Sequence, residues 1–306
     1  MPSPKKVVLL ACGSFNPVTN MHLRMFEVAR DNLAGPSMEV VCGLVSPVSD
    51  GYGKAGLAPA NHRCRMLSLA LGSSSWVRLD TWECEQENWT ETRRVLDHHR
   101  QRIAIEGLPT QPGPKRRRRR QSNDNLNEAA LNVQVMLLCG ADLLQSFRVP
   151  GLWSEQDIEH ILTQYGLVVV TRSGYDLPRI IYENDILYRH RRHIHVVTEW
   201  IPNEISSTAV RRALKRGESV KYLLQDSVID YIRQHGLYAE SIMDDGCRQG
   251  GVSSSRKTQG NASFTECLHC LIVSLKDPPW RLSGYALVAF SMRLWIRFFT
   301  ATVMVL

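Results

Sequence analysis

The sequence predicts an α/β fold: a Rossmann-like, doubly wound parallel sheet built as a single domain. Three observations carry that expectation. Residues 7–12 (VVLLAC) are a continuous apolar run, as expected of a strand covered on both faces. Segments of helical spacing alternate with further apolar runs, in the order β-α-β-α-β-α. Hydrophobic residues make up 43% and charged residues 22% of the 306 residues, enough for a packed core and against general disorder.

Each element has its own local reason. After strand 7–12 a polar break holds Gly13, Ser14, Asn16 and Pro17, and a helix is predicted from His22 to residue 33, with Leu23, Phe26, Val28, Ala29 and Leu33 in helix-like spacing. Residues 38–45 (MEVVCGLV) predict a second strand, and SDGYGKAG after it a polar, glycine-rich loop. Pro59 suits the first turn of a helix running to Leu71. Residues 76–80 predict a short strand and 90–105 a charged amphipathic helix. The pattern then stops. Residues 107–130, with Pro109, Pro112, Pro114 and a basic run, predict a disordered insertion. Order returns with strand 133–139, which ends in Gly140-Ala141-Asp142 ahead of a helix. Leu152-Trp153 predicts a corner, and Ser154 caps a helix through residue 164. Strands follow at 167–171 and 194–197, a helix at 205–217 with a Ser/Thr-rich start, and a last helix at 228–235 stopped by Gly236. The domain is expected to span 5–240, with 241–306 a tail, first polar and then apolar.

Charge and cysteines narrow the class. The net charge is +7, and residues 115–120 (KRRRRR) supply six positive charges, so the body of the chain is near neutral and no specific nucleic-acid partner is expected. The eight cysteines are scattered, only Cys267 and Cys270 forming a CxxC pair, which predicts a reduced, intracellular protein without a zinc site. Residues 1–6 are polar, so no secretory leader is expected.

A strand, a glycine turn and a helix together bind phosphate, because free N–H groups at the helix start face the anion. Gly13, Asn16, Thr19 and His22 fall at one such corner, Gly140-Ala141-Asp142 at a second, and Ser206-Ser207-Thr208 at a third. Three corners point to a nucleotide with more than one phosphate. Neither GxGxxG nor GxxxxGK[ST] is present at the first break, which disfavours a dinucleotide dehydrogenase and a P-loop NTPase. Singly, Gly13 is an ordinary turn and His22 an ordinary cap; the combination carries the reading.

That combination resembles the animal nicotinamide-nucleotide adenylyltransferases, within the nucleotidyltransferase superfamily that carries a T/HxGH motif. LLACGSFNPVTNMHLRMFE resembles their first strand, turn and helix. SPVSDGYGKAGL, WVRLDTWECEQENWTET, LLCGADLLQSF, VPGLWSEQDI, YGLVVVTR and NEISSTAVRRAL resemble later family stretches in the same order. Met21 stands where the wider superfamily has glycine, a departure that the animal subgroup tolerates. The resemblance implies transfer of the adenylyl group of ATP to nicotinamide mononucleotide, and to the nicotinic acid mononucleotide as a second substrate, with Mg²⁺ carried by ATP. It implies His22 as the catalytic residue. It implies that Gly13, Ser14, Gly140, Asp142, Ser207, Thr208 and Arg211 bind the nucleotide, and that Trp89 stacks on the nicotinamide ring. Tyr52, Lys54, Thr92, Leu152, Trp153, Glu199 and Asn203 would line that pocket. No protein-held metal site is implied, and a homo-oligomer is expected. Rival readings are another nucleotidyltransferase of this fold, using CTP or phosphopantetheine, and a nucleic-acid binder using the basic run.

The basic run fits a signal read by a nuclear import receptor, so a nuclear location is expected. The last 22 residues of the tail are mostly apolar and long enough for a membrane span. Arg293 and Arg297 lie inside them, each costing about 2.5–3.5 kcal/mol at mid-membrane, so membrane association is disfavoured.

Overall fold

A computed structural model describes residues 3–108, 133–201 and 204–239. Asn203, the basic run 115–120, most of the 107–130 insertion and the tail 241–306 lie outside these residues.

Among the described residues, six strands form one parallel sheet. They are β1 (Lys5–Gly13), β2 (Met38–Pro47), β3 (Val77–Leu79), β4 (Val133–Gly140), β5 (Leu167–Val170) and β6 (Ile194–Val197), in the order β3-β2-β1-β4-β5-β6. The buried stretches 7–11 of β1 and 135–139 of β4 and the whole of β5 are apolar without a break because helices cover both faces. Val7, Leu9 and Ala11 of β1 enter one core, and Val8 and Leu10 enter the other. The first core is closed by α1 (Asn20–Leu33), α2 (Ala60–Ala70), α8 (Ser207–Lys215) and α9 (Asp226–Gln234). The second is closed by α3 (Thr92–Glu106), α4 (Ala141–Ser146), α5 (Glu155–His160), α6 (Leu177–Tyr182) and α7 (Asp185–Arg189).

Several boundaries differ from expectation, each for a local reason. The first helix begins at Asn20 rather than His22, because Thr19 is its N-cap and His22 its third residue. Pro59 is the N-cap of α2 and not a residue of its first turn. Ser154 does cap its helix, its side chain accepting from the Asp157 N–H, but α5 ends at His160 and a π-helical turn continues to Tyr165. The helix read at 205–217 starts at Ser207, with Ser206 as its cap. Helices α6 and α7 were not foreseen; Asp176 and Asn184 cap them. Among the described residues, no helix is long and apolar enough to cross a membrane.

Candidate active site

The strand order turns back between β1 and β4, and in open α/β sheets the crevice beyond the carboxyl ends of such strands takes the ligand. The cleft found there is lined by Gly13 and Ser14 after β1, His22 of α1, Lys54, Gly140 and Asp142 after β4, Arg172 after β5, and Ser207, Thr208 and Arg211 of α8. Nine of the sequence-predicted residues thus meet in one place.

His22 is held in a defined state. The backbone N–H of Thr19 donates to its Nδ1 at 2.9 Å, and the Thr19 hydroxyl lies 2.8 Å from the same atom. An amide can only donate, so Nδ1 is the bare nitrogen and Nε2 carries the proton. Burial pushes the pKa of the ring down to about 4; the Asp142 carboxylate opposes that shift and the Arg172 guanidinium adds to it. At neutral pH His22 is therefore an uncharged ring offering one N–H donor. Phe15, edge-on to it at 5.2 Å, turns the backbone through a φ of 45°.

Helix α8 is fastened to the first turn. The Ser207 hydroxyl donates to the Pro17 carbonyl at 2.8 Å, and Arg211 Nη1 donates to the Asn16 carbonyl at 2.7 Å. Ser206 Oγ accepts from the Ala209 N–H. The N–H groups of Ser207 and Thr208 are left as helix-start donors, the usual means of holding an anion. So Ser207 contributes its backbone, its hydroxyl being committed to the turn. A Cβ at Gly140 would come within 2.6 Å of Asp142 Oδ1, so a side chain there would displace that carboxylate. The bare Cα lets the carboxylate fold back over the end of β4. Lys54, Arg172 and Arg211 outnumber Asp142, so the cleft favours anions.

A buried arginine frames this turn from behind. Arg63 is fully buried and donates to the carbonyls of Ser14, Val48 and Ala58 and to Asp50. Asn16 is likewise enclosed: its amide donates to the Gly56 carbonyl, and its Oδ1 accepts from the Ala58 N–H and the Tyr238 hydroxyl.

Comparison with known proteins places the chain. A cytidylyltransferase-like family model matches residues 10–213. A Bos taurus protein, nicotinamide/nicotinic acid mononucleotide adenylyltransferase 1, is 48% identical over 76% of this chain and 89% of its own length. The chain belongs to this adenylyltransferase family.

A Drosophila melanogaster nicotinamide-nucleotide adenylyltransferase is 46% identical over 76% of this chain, which spans 61% of that relative. A solved Plasmodium falciparum nicotinic acid mononucleotide adenylyltransferase, complexed with APC, shares the fold with a TM-score of 0.52 at 16% identity, over 76% of this chain and 97% of that one.

The other predicted residues that the structure of this adenylyltransferase-family chain describes are not part of the cleft lining. Tyr52 and Trp89 lie together, their rings 6.3 Å apart, and are 44% and 49% exposed, so both present a free aromatic surface. Gly51 makes that approach feasible, since a Cβ there would meet the Trp89 nitrogen at 3.0 Å. Thr92 opens α3. Leu152 is exposed, whereas Trp153 packs edge-on to Phe147 and donates from Nε1 to Ser146, which makes it a structural corner. Glu199 is an anchor: its carboxylate accepts from Arg24 and from the Ile201 N–H, and its side chain is only 5% exposed. Sequence reading missed Arg172 and Arg63. Arg172 had a signal, standing two residues past the end of an apolar strand; Arg63 had none, since its helical register looks like a solvated face.

Proposed function

We propose that the chain transfers the adenylyl group of ATP to nicotinamide mononucleotide or nicotinic acid mononucleotide, forming NAD or its deamido form and pyrophosphate. The observation that best supports this is the neutral His22 donor, set among Arg172, Arg211 and the start of α8 at the turning point of the sheet. The mononucleotide phosphate is already anionic and needs no general base. One of its oxygens attacks the α-phosphorus of ATP in line, the bond to the bridging oxygen breaks, and pyrophosphate leaves. Catalysis then rests on positioning and on charge stabilisation. His22 Nε2–H donates to the reacting phosphates, the α8 N–H groups and Arg211 hold the triphosphate, and Asp142 faces the ribose region.

Among the cleft-lining side chains Asp142 is the one carboxylate, and no described cluster of three or more His, Cys, Asp or Glu side chains suits a metal. That donor set fits Mg²⁺ carried in by the triphosphate, with water completing its shell. When bound, the ion neutralises phosphate charge. Radiolabelled ATP incubated with each mononucleotide tests the activity. Label appearing in NAD or its deamido form is expected, and label entering no dinucleotide rejects the reading.

Trp89→Ala should raise KM for the mononucleotide more than KM for ATP. The exposed Tyr52–Trp89 pair offers a flat surface, and base–aromatic stacking is worth about 1–3 kcal/mol. Equal changes in both constants would make Trp89 structural.

The basic run 115–120 serves as a nuclear import signal, and replacing it with alanine should move a fluorescent fusion to the cytoplasm without changing activity in vitro. A fusion that stays nuclear would assign the address elsewhere. The chain assembles as a homo-oligomer, readable from light scattering of the eluted protein.

A further inference from the structure

Cys64, on α2, and Cys84, on the turn after β3, bring their sulfurs to 3.2 Å across 20 residues of chain. That is inside the van der Waals separation of two sulfurs. Both side chains are free thiols and partly exposed, whereas Cys42 and Cys139 are buried. We propose that Cys64 and Cys84 form a redox modification site, a dithiol that a peroxide closes to a disulfide and a small thiol reopens.

The surroundings favour Cys64 as the first sulfur to react. A hydrogen bond from Cys84 and the nearby Arg63 guanidinium pull its pKa below the ordinary thiol value, against the effect of burial. The same pairing and burial push the Cys84 thiol up, so Cys84 keeps its proton. Cys84 Sγ also lies 3.0 Å from the Thr81 carbonyl, which fixes its place on the turn. The steps balance with hydrogen peroxide as the oxidant. The Cys64 thiolate attacks one peroxide oxygen, the O–O bond breaks, and hydroxide leaves and takes a proton to become water. Cys64 is then a sulfenic acid. The Cys84 sulfur attacks that sulfur, the S–S bond forms, the S–O bond breaks, and hydroxide departs as water with the Cys84 proton. Two thiols and one peroxide become one disulfide and two waters. The sulfurs must close by roughly 1.1 Å to reach bonding distance, a movement within reach of side-chain rotation.

The site has a structural address. Cys64 follows Arg63, whose guanidinium holds the Ser14, Val48 and Ala58 carbonyls. Cys84 follows Glu83, a buried carboxyl that accepts from the Ser46 hydroxyl on β2. The disulfide would join the two segments that carry these buried polar groups. In a reducing compartment such a bond is transient, forming under oxidant and reversing with thiol.

Full-length protein is treated with a modest excess of hydrogen peroxide, quenched with catalase and N-ethylmaleimide, and mapped as chymotryptic peptides without reduction. The expected product joins the peptides carrying Cys64 and Cys84 and is lighter than their sum by two hydrogens. Dithiothreitol removes it, and neither Cys64→Ser nor Cys84→Ser forms it. Wild-type maps decide the matter even where a serine variant folds poorly. The proposal is overturned if both cysteines carry maleimide after peroxide treatment, if either is joined instead to another cysteine, or if Cys64 runs on to its sulfinic acid with Cys84 still reduced.

Discussion

His22→Ala lowers turnover by roughly 10²–10³-fold, about 2.7–4 kcal/mol of barrier, while leaving the protein folded. The ring presents Nε2–H to the cleft because Thr19 occupies Nδ1. Steady-state kinetics with saturating ATP and mononucleotide check this, and near wild-type turnover would remove His22 from the reaction. The depressed pKa adds a second reading. In the free enzyme the ring stays neutral from the alkaline range down to about pH 4, so kcat/KM carries no inflection from His22 near 6.5. The sign on stability follows by linkage. The unfolded ring takes up a proton below its ordinary pKa near 6.5 while the folded ring does not, so His22 disfavours the native state increasingly as pH falls from there toward 4. The alanine variant loses that part of the acid sensitivity, which urea unfolding at a series of pH values will display.

Arg63→Met destabilises the domain by about 3 kcal/mol or more, because each buried carbonyl stripped of its donor costs about 1–3 kcal/mol. The buried carbonyls of Val48 and Ala58 and the partly buried carbonyl of Ser14 lose their partner together, while Asp50 is exposed enough to return to water. The cost is large against a total stability of about 5–15 kcal/mol. Arg63→Lys restores little, since one ammonium cannot span three carbonyls set around a planar fork. Urea midpoints measure the loss, and a change under about 1 kcal/mol would show that water replaces the guanidinium.

The sheet was legible because burial on both faces leaves β5 and the stretch of β1 after Lys5-Lys6 as unbroken apolar runs, and such runs have few other readings. That three corners meet in one cleft was legible because glycine, asparagine and short hydroxyl residues cluster where strands hand over to helices. Helices α6 and α7 were hidden by their shortness, six and five residues, which shows too little periodicity to register. The Tyr52–Trp89 pair was reached only through the family resemblance, and the burial of Arg63 was hidden, for another reason. Both are made by contacts between segments far apart in sequence, and nothing local to either residue encodes them.

Asn16 accepts a hydrogen bond at 2.6 Å from the hydroxyl of Tyr238, 222 residues later in the chain. During synthesis the first turn therefore leaves the ribosome long before its partner exists. Strand β1 also waits, since its neighbour β4 begins only at Val133. The nascent chain holds a half-built turn through most of its translation, in a topology whose decisive pairings are long-range and slow to form. Release of the segment containing Tyr238 is the event that closes the turn. A chain stopped a few residues short keeps all six strands and still lacks one of the three side-chain bonds that hold Asn16.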